Sequence, residues 1–353
     1  MKILGIETSC DDTAAAVIEA KGGLKKPSFK VLSNTSFSQV AIHEKFGGVV
    51  PNLASRAHLE KIIPTIKETL KIAKTGPEKI DLIAVTKGPG LLPSLLIGVN
   101  TARALAYAWK KPVIGVNHIE GHIYSNWLPP VKKLKAISHG LKAVEFPALI
   151  LIVSGGHTEL VLMKNYGKYK IIGKTLDDAA GEAFDKTARL LGFGFPGGPE
   201  LAHAAERGDE TKYELPRPMI NSKDYNFSFS GLKTAVLYAF NKNKKEISAN
   251  LPDFAASLEK AIVDVLTAKT IKAVRNYGPK TVMIAGGVSA NKKLREEMIE
   301  KIKSYKIPLL IPDFSYTTDN AAMIAAAGYF NYLGKKPSKD SWKKVEANAN
   351  LKL

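Results

Sequence analysis

The sequence predicts an α/β fold built twice over, and three observations carry the prediction. Residues 2–19 read as a buried apolar strand, a small polar turn and a second strand, and residues 148–163 repeat that pattern. A strand ending in glycine and leading into a helix recurs at 80–109 and again from 281 onward, which is the α/β signature. The chain has 353 residues, more than one usual core accommodates. A two-lobed molecule with duplicated mixed-sheet domains is therefore expected, the first lobe over 1–135 and the second over 136–353. The last helix, about 320–334, is expected to pack back near the first lobe.

Each element follows from its pattern. In the first half the apolar residues Leu59, Ile62, Ile63, Ile66 and Leu70 fall at helical spacing over 57–73. Residues 80–86 form an apolar strand. Gly88-Pro89-Gly90-Leu91 then turns into a small-residue helix over 94–109, and a strand at 112–116 leads to His118. In the second half, helices are expected over 177–191 and 254–277, a strand over 281–285, and an Ala-rich helix over 320–331. The lysine-rich stretch 129–146, bounded by prolines, reads as an exposed connection.

Composition narrows the function classes. Lys and Arg total 51 against 33 Asp and Glu, a formal charge of +18, which favours a polyanionic partner or reflects a lysine-coated surface. No run of eighteen apolar residues is present, so no membrane partner is expected. The N-terminus enters a strand at once, without a charged-then-apolar leader. Cys10 is the only cysteine, which excludes an internal disulfide and suits the cytoplasm.

Chemistry enters with His118 and His122. Spaced i, i+4, they share one helical face, where two imidazoles can hold one divalent metal or simply pack. The zinc-protease motif needs Glu directly after the first His, whereas here it stands two places on, at Glu120. Gly121 inside that turn costs about 1 kcal/mol of helix propensity, so the position needs to stay bare. Asp319, just before the Ala-rich helix, is either an N-cap or the third ligand of a two-histidine, one-carboxylate site.

Three small-residue turns follow strands, at residues 8–13, 154–158 and 286–291, and backbone N–H groups in such turns can hold phosphate oxygens. None is a Walker loop or a dinucleotide fingerprint. Asn291 is a helix N-cap or a contact to a ribose or base. On a helix over 177–191, Asp178, Glu182 and Asp185 would share one face, and the turn Phe195-Pro196-Gly197-Gly198-Pro199 would admit a ligand closely.

Taken in order, these blocks make the chain resemble the tRNA threonylcarbamoyladenosine synthase family whose catalytic subunit is TsaD, formerly described as a glycoprotease. The blocks run from Gly5-Ile6-Glu7-Thr8-Ser9-Cys10-Asp11 through His58, Gly88-Pro89-Gly90-Leu91, His118-Ile119-Glu120-Gly121-His122, Val153-Ser154-Gly155-Gly156-His157-Thr158, Gly181-Glu182-Ala183-Phe184-Asp185-Lys186, Phe227-Ser228-Phe229-Ser230-Gly231-Leu232-Lys233 and Gly286-Gly287-Val288-Ser289-Ala290-Asn291 to Thr318-Asp319-Asn320. The resemblance implies an actin-like fold of the sugar-kinase and heat-shock-ATPase type. It implies transfer of a threonylcarbamoyl group from threonylcarbamoyl-AMP to N6 of the tRNA adenosine 3′ of the anticodon, position 37, in tRNAs reading codons that begin with adenine.

By the same resemblance His118, His122 and Asp319 match the metal ligands, for iron(II) or else zinc. Ile152, Val153, Ser154, Gly155, Gly156, Asp185, Gly198 and Asn291 match the substrate contacts, in a site that ATP or ADP can also occupy. No general base is evident; Asp11 and groups on the metal are the candidates for catalysis. Val153 and His157 give the bacterial or organellar form of the second turn, which implies bacterial-type partners, a TsaB-type paralogue and a TsaE-type ATPase. Asp12 departs from the Glu that many members carry. A sugar kinase on the same fold, a metalloprotease and a non-catalytic scaffold are the competing classes; the first lacks a use for the histidine pair, the second needs Glu at 119, and the third does not need intact ligands.

Overall fold

The computed structural model describes residues 1–131 and 144–353. Most of the basic connection expected at 129–146, with Lys132, Lys133 and Lys135, lies outside the described residues. The strands are β1 (Lys2–Glu7), β2 (Asp12–Lys21), β3 (Ser28–Ser38), β4 (Leu82–Gly88), β5 (Val113–Asn117), β6 (Ala148–Val153), β7 (Thr158–Asn165), β8 (Lys168–Lys174), β9 (Thr281–Ala285) and β10 (Leu309–Leu310). The helices are α1 (Val40–His43), α2 (Pro51–Ile72), α3 (Leu92–Trp109), α4 (His118–Tyr124), α5 (Ala180–Leu190), α6 (Gly197–Ala205), α7 (Ser230–Lys242), α8 (Lys244–Ala249), α9 (Leu251–Tyr277), α10 (Lys292–Lys303) and α11 (Ala321–Gly334).

The chain forms two compact units, Met1–Ala143 with Pro312–Leu353, and Val144–Ile311. Residues 312–353, counted with the second half in the sequence reading, thus cluster with the first unit. The first sheet has the order β3-β2-β1-β4-β5 and the second β10-β9-β6-β7-β8. In each, the two hairpin partners are antiparallel and the two later strands parallel, so the units repeat one topology. This is the duplication that the paired hairpins predicted.

In the first unit the strand period of two decides what each face meets. Leu4 and Ile6 join Ile62 and Ile66 of α2 and Val99 and Ala102 of α3 in one core. Gly5, facing the other way, lies against α11, where an added Cβ would sit 2.2 Å from the Ala321 carbonyl oxygen. Helix α11 is buried at every position from Ala321 to Phe330, which explains its run of alanines: small side chains let a helix approach a sheet closely. Helix α2 starts earlier than its apolar period, at Pro51, whose fixed φ and missing N–H suit the first helical position.

The second unit packs α5, α6, α7, α9 and α10 into one core with Leu149, Leu151, Leu160, Val282 and Ile284 of its sheet. The helix expected over 177–191 begins at Ala180. Asp178 therefore lies before the helix, and the shared acidic face of Asp178, Glu182 and Asp185 is not formed. Asp177 turns instead to the backbone N–H of Phe229 at 2.7 Å and to the hydroxyls of Ser228 and Ser230. Asp178 pairs with Lys186 and Lys233, both at 2.7 Å. Among the described residues no helix is long and apolar enough to cross a membrane.

Candidate metal centre and strand-end turns

The carboxyl end of the first sheet gathers the groups that chemistry needs. Strand β5 ends at Asn117, whose Oδ1 accepts from the Ile119 N–H at 2.8 Å and so starts α4. Within α4, His118 and His122 lie on one face with their ring centroids 4.7 Å apart. Across from them Asp319 presents Oδ1, 3.4 Å from His118 Nε2 and 3.3 Å from His122 Nε2. Asp319 escapes the capping role because its neighbour takes it: Asn320 Oδ1 accepts from the Met323 N–H at 3.0 Å to start α11. Gly121 stays bare for packing, since a Cβ there would stand 2.7 Å from Ile324 of α11. Glu120 faces away from the cluster and accepts from Asn331 Nδ2 at 3.2 Å, which is no position for the base of a zinc protease.

Sequence reasoning missed Glu7. It ends β1 fully buried and takes His118 Nδ1 at 3.0 Å and the Thr86 hydroxyl at 2.6 Å on one oxygen. Its other oxygen accepts from the Ser9 N–H. A carboxylate holding the far nitrogen of an imidazole is how metal-binding histidines are oriented. The signal was available: a lone acidic residue closing an otherwise apolar buried strand needs a partner.

The electrostatics follow from this packing. Burial alone would lower the His118 pKa, but Asp319 and then Glu7 outweigh it and raise it to about 9. Burial would raise the Asp319 pKa; His118 and His122 together hold it below the ordinary carboxylate range. Asp11 is raised by burial and by Asp319, against a lowering hydrogen bond with Cys10, and Asp12 is raised to about 7 by burial, Asp319 and Asp11. Cys10 is pushed well above the ordinary thiol range by burial and by Asp11, Asp319 and Glu7.

The donor set suits a divalent cation. One ligand atom from each of His118, His122 and Asp319 lies within 4.8 Å of the others, so a single ion can meet all three. Two imidazole nitrogens and one carboxylate leave positions open for further ligands, as iron(II) and zinc sites of this type do.

The second unit holds the other predicted residues. Ile152 and Val153 are buried at the end of β6, and Ser154, Gly155 and Gly156 form the turn into β7. The Ser154 N–H donates to the His157 carbonyl at 2.8 Å and its hydroxyl accepts from the His157 N–H at 3.1 Å. An added Cβ at Gly155 or Gly156 would meet nothing within 4 Å. Gly181, at the start of α5, has no such room, since its Cβ would press on the Ser154 carbonyl at 2.6 Å. The parallel strand β9 ends alongside, and a Cβ on Gly286 would stand 2.4 Å from the Val153 carbonyl. Asp185 Oδ1 accepts from the Gly198 N–H at 2.8 Å. Asn291 caps α10 through the Leu294 N–H at 2.8 Å and donates to buried Glu259 at 2.6 Å.

Two units of one topology, each with its polar turns at the carboxyl ends of its central strands, define the actin-like class of α/β proteins. The activator of 2-hydroxyisocaproyl-CoA dehydratase from Clostridium difficile, solved with bound ADPNP, shares this fold with a TM-score of 0.51 over 99% of both chains at 13% identity. The tRNA N6-adenosine threonylcarbamoyltransferase family model matches residues 30–326, and the chain belongs to that family. The enzyme of that name from Caldicellulosiruptor saccharolyticus is 50% identical over 94% of each chain. The one from Thermosipho africanus is 47% identical over the whole of both. The chain is accordingly a tRNA-modifying transferase.

Proposed function

We propose that this transferase takes the threonylcarbamoyl group from threonylcarbamoyl-AMP and places it on N6 of adenosine 37, in tRNAs reading codons that begin with adenine. The cluster of His118, His122 and Asp319 carries the reading beyond family membership, because it can hold a divalent electrophile while Glu120 is engaged by Asn331 rather than set as a zinc-protease base. A divalent cation, iron(II) or zinc, would be held by those three residues; when bound it acts as a Lewis acid toward a carbonyl or phosphoryl oxygen. Glu7 fixes the His118 ring by accepting from Nδ1, which directs Nε2 toward Asp319. In the second unit, Ile152, Val153, Ser154, Gly155 and Gly156 are assigned as substrate contacts, and of these Gly155 and Gly156 would present backbone N–H groups to the donor's anionic oxygens. Asp185, Gly198 and Asn291 would contact the nucleotide.

The donor is a mixed anhydride and already activated, while an exocyclic amine is a weak nucleophile, so orientation supplies much of the rate. Asp11 is the candidate for receiving the amine proton. The surplus of 18 positive charges suits tRNA phosphates. Cytoplasmic location, a TsaB-type paralogue and a TsaE-type ATPase belong to the same reading and rest on the resemblance.

The test is reconstitution with threonine, bicarbonate, ATP, the adenylate-forming enzyme, the partner proteins and unmodified tRNA, followed by nucleoside mass spectrometry. The expected product is threonylcarbamoyladenosine at position 37. Replacing both His118 and His122 by Ala is expected to abolish metal binding and product while leaving the circular dichroism spectrum unchanged. Full product formation in excess chelator would overturn the metal role.

A further inference from the structure

The segment that follows α11 is not a loose extension. The Ser341 hydroxyl accepts from the Val113 N–H at 2.9 Å, and the Trp342 carbonyl accepts from Arg103 at 2.8 Å. Trp342 lies edge-on to Tyr107, and Val345 is buried in the core of the first unit. Beyond this anchor the chain crosses the turn between β4 and α3. The Asn348 N–H donates to the Lys87 carbonyl at 2.7 Å and the Gly90 N–H to the Ala349 carbonyl at 3.2 Å. Gly88 has no room for a side chain because the Asn348 carbonyl occupies the Cβ position, 1.8 Å away.

This segment reaches the histidine helix by two routes. First, Asn117 uses both ends of its amide: Oδ1 starts α4 through the Ile119 N–H, and Nδ2 donates to the Lys352 carbonyl at 3.1 Å. The amide is oriented by these partners, since reversal would set N–H against N–H and carbonyl against carbonyl. Second, the strapped turn holds Ser9: the Leu91 N–H donates to the Ser9 carbonyl at 2.8 Å, and the Ser9 hydroxyl stands 3.2 Å from His118 Nδ1. Asn117 is 6% exposed, so losing either partner would leave a polar group without water.

We propose that residues 348–352 act as a strap that sets the position of α4, and that Asn117 is the positioning residue through which it does so. The affinity of His118, His122 and Asp319 for a divalent cation then depends on a segment that contributes no ligand. The inference rests on the metal reading given above. The full-length protein is titrated with cobalt(II), whose visible absorption reports the ligand geometry, and compared with Asn117→Ser. Serine keeps a side-chain acceptor for the helix start but is too short to reach Lys352.

Cobalt affinity is expected to fall about tenfold, the low end of what support around a metal ligand contributes. The thermal midpoint should fall by no more than the loss of one buried hydrogen bond allows, and kcat should fall while KM for tRNA stays constant. A second variant, the chain ended after Leu351, removes the Lys352 carbonyl and leaves Asn117 intact; it is expected to show the same loss of cobalt affinity. Unchanged cobalt affinity in that shortened chain overturns the strap, whatever Asn117→Ser does to stability. Failure of the unaltered protein to bind cobalt would instead remove the metal reading itself.

Discussion

A carboxylate that contributes no ligand controls the chemistry of a histidine that does. Glu7 is fully buried and accepts from His118, Thr86 and Ser9. Glu7→Gln keeps the shape but loses the charge that raises the His118 pKa. Divalent-metal affinity is expected to fall roughly 10- to 100-fold, read by competition with a chromogenic chelator, with the circular dichroism spectrum unchanged. Cys10 makes a separate residue-scale prediction. Its thiol is pushed up by burial and by three neighbouring carboxylates, and the thiolate is the reactive form. Alkylation by iodoacetamide at pH 8 is expected to be at least about tenfold slower in the folded protein than in urea. The His118–His122 spacing was legible in the sequence because a helix has a fixed period; the need of Glu7 for a partner was legible too, but not that His118 is that partner, which lies 111 residues away.

Elements are placed by close approach and by single polar ties. Gly5→Ala puts a Cβ against the Ala321 carbonyl, backbone on backbone, where no rotamer change relieves the clash. The expected cost is about 1–3 kcal/mol, measured by urea unfolding. Asp177 ties the start of α7 through Ser228, Phe229 and Ser230. Partial burial would raise its pKa, but those hydrogen bonds override it and lower the value below that of a free carboxylate. The unfolded value is about 3.9, so the tie contributes fully above that pH and is lost as pH falls through the lower folded value. The difference in stability between the unaltered protein and Asp177→Ala is therefore expected at pH 7 and should shrink as pH falls from about 3.9 through the lower folded value. The sequence pattern placed Asp177 and Asp178 on the helix because acidic residues extend its polar period backward. Tertiary partners claimed both first.

At the scale of the whole molecule, the charge surplus and the repeated topology are the governing features. With +18 formal charge, tRNA affinity is expected to fall at least about tenfold between roughly 50 and 200 mM salt. A filter-binding series checks this, and a flat salt response would remove the electrostatic role of the lysines. The duplication was visible in the sequence as two hairpins, because alternation and tight turns are local properties. The sequence predicts the last helix near the first lobe; that all of residues 312–353 cluster with the first unit, with that helix buried from Ala321 to Phe330, only the structure decides.

The sequence by itself determined the two hairpins, several of the longer helices, the strand-end turns, the histidine pair and the family, since each is written in short-range spacing or in ordered blocks. The tertiary structure alone decided three matters: that Asn320 caps α11 and leaves Asp319 to the histidines, that Glu7 orients His118, and that the segment after α11 braces the helix carrying both imidazoles. The reason is physical. A side chain's role is set by which partner reaches it first in a dense, mostly dry interior, and those partners are far apart along the chain.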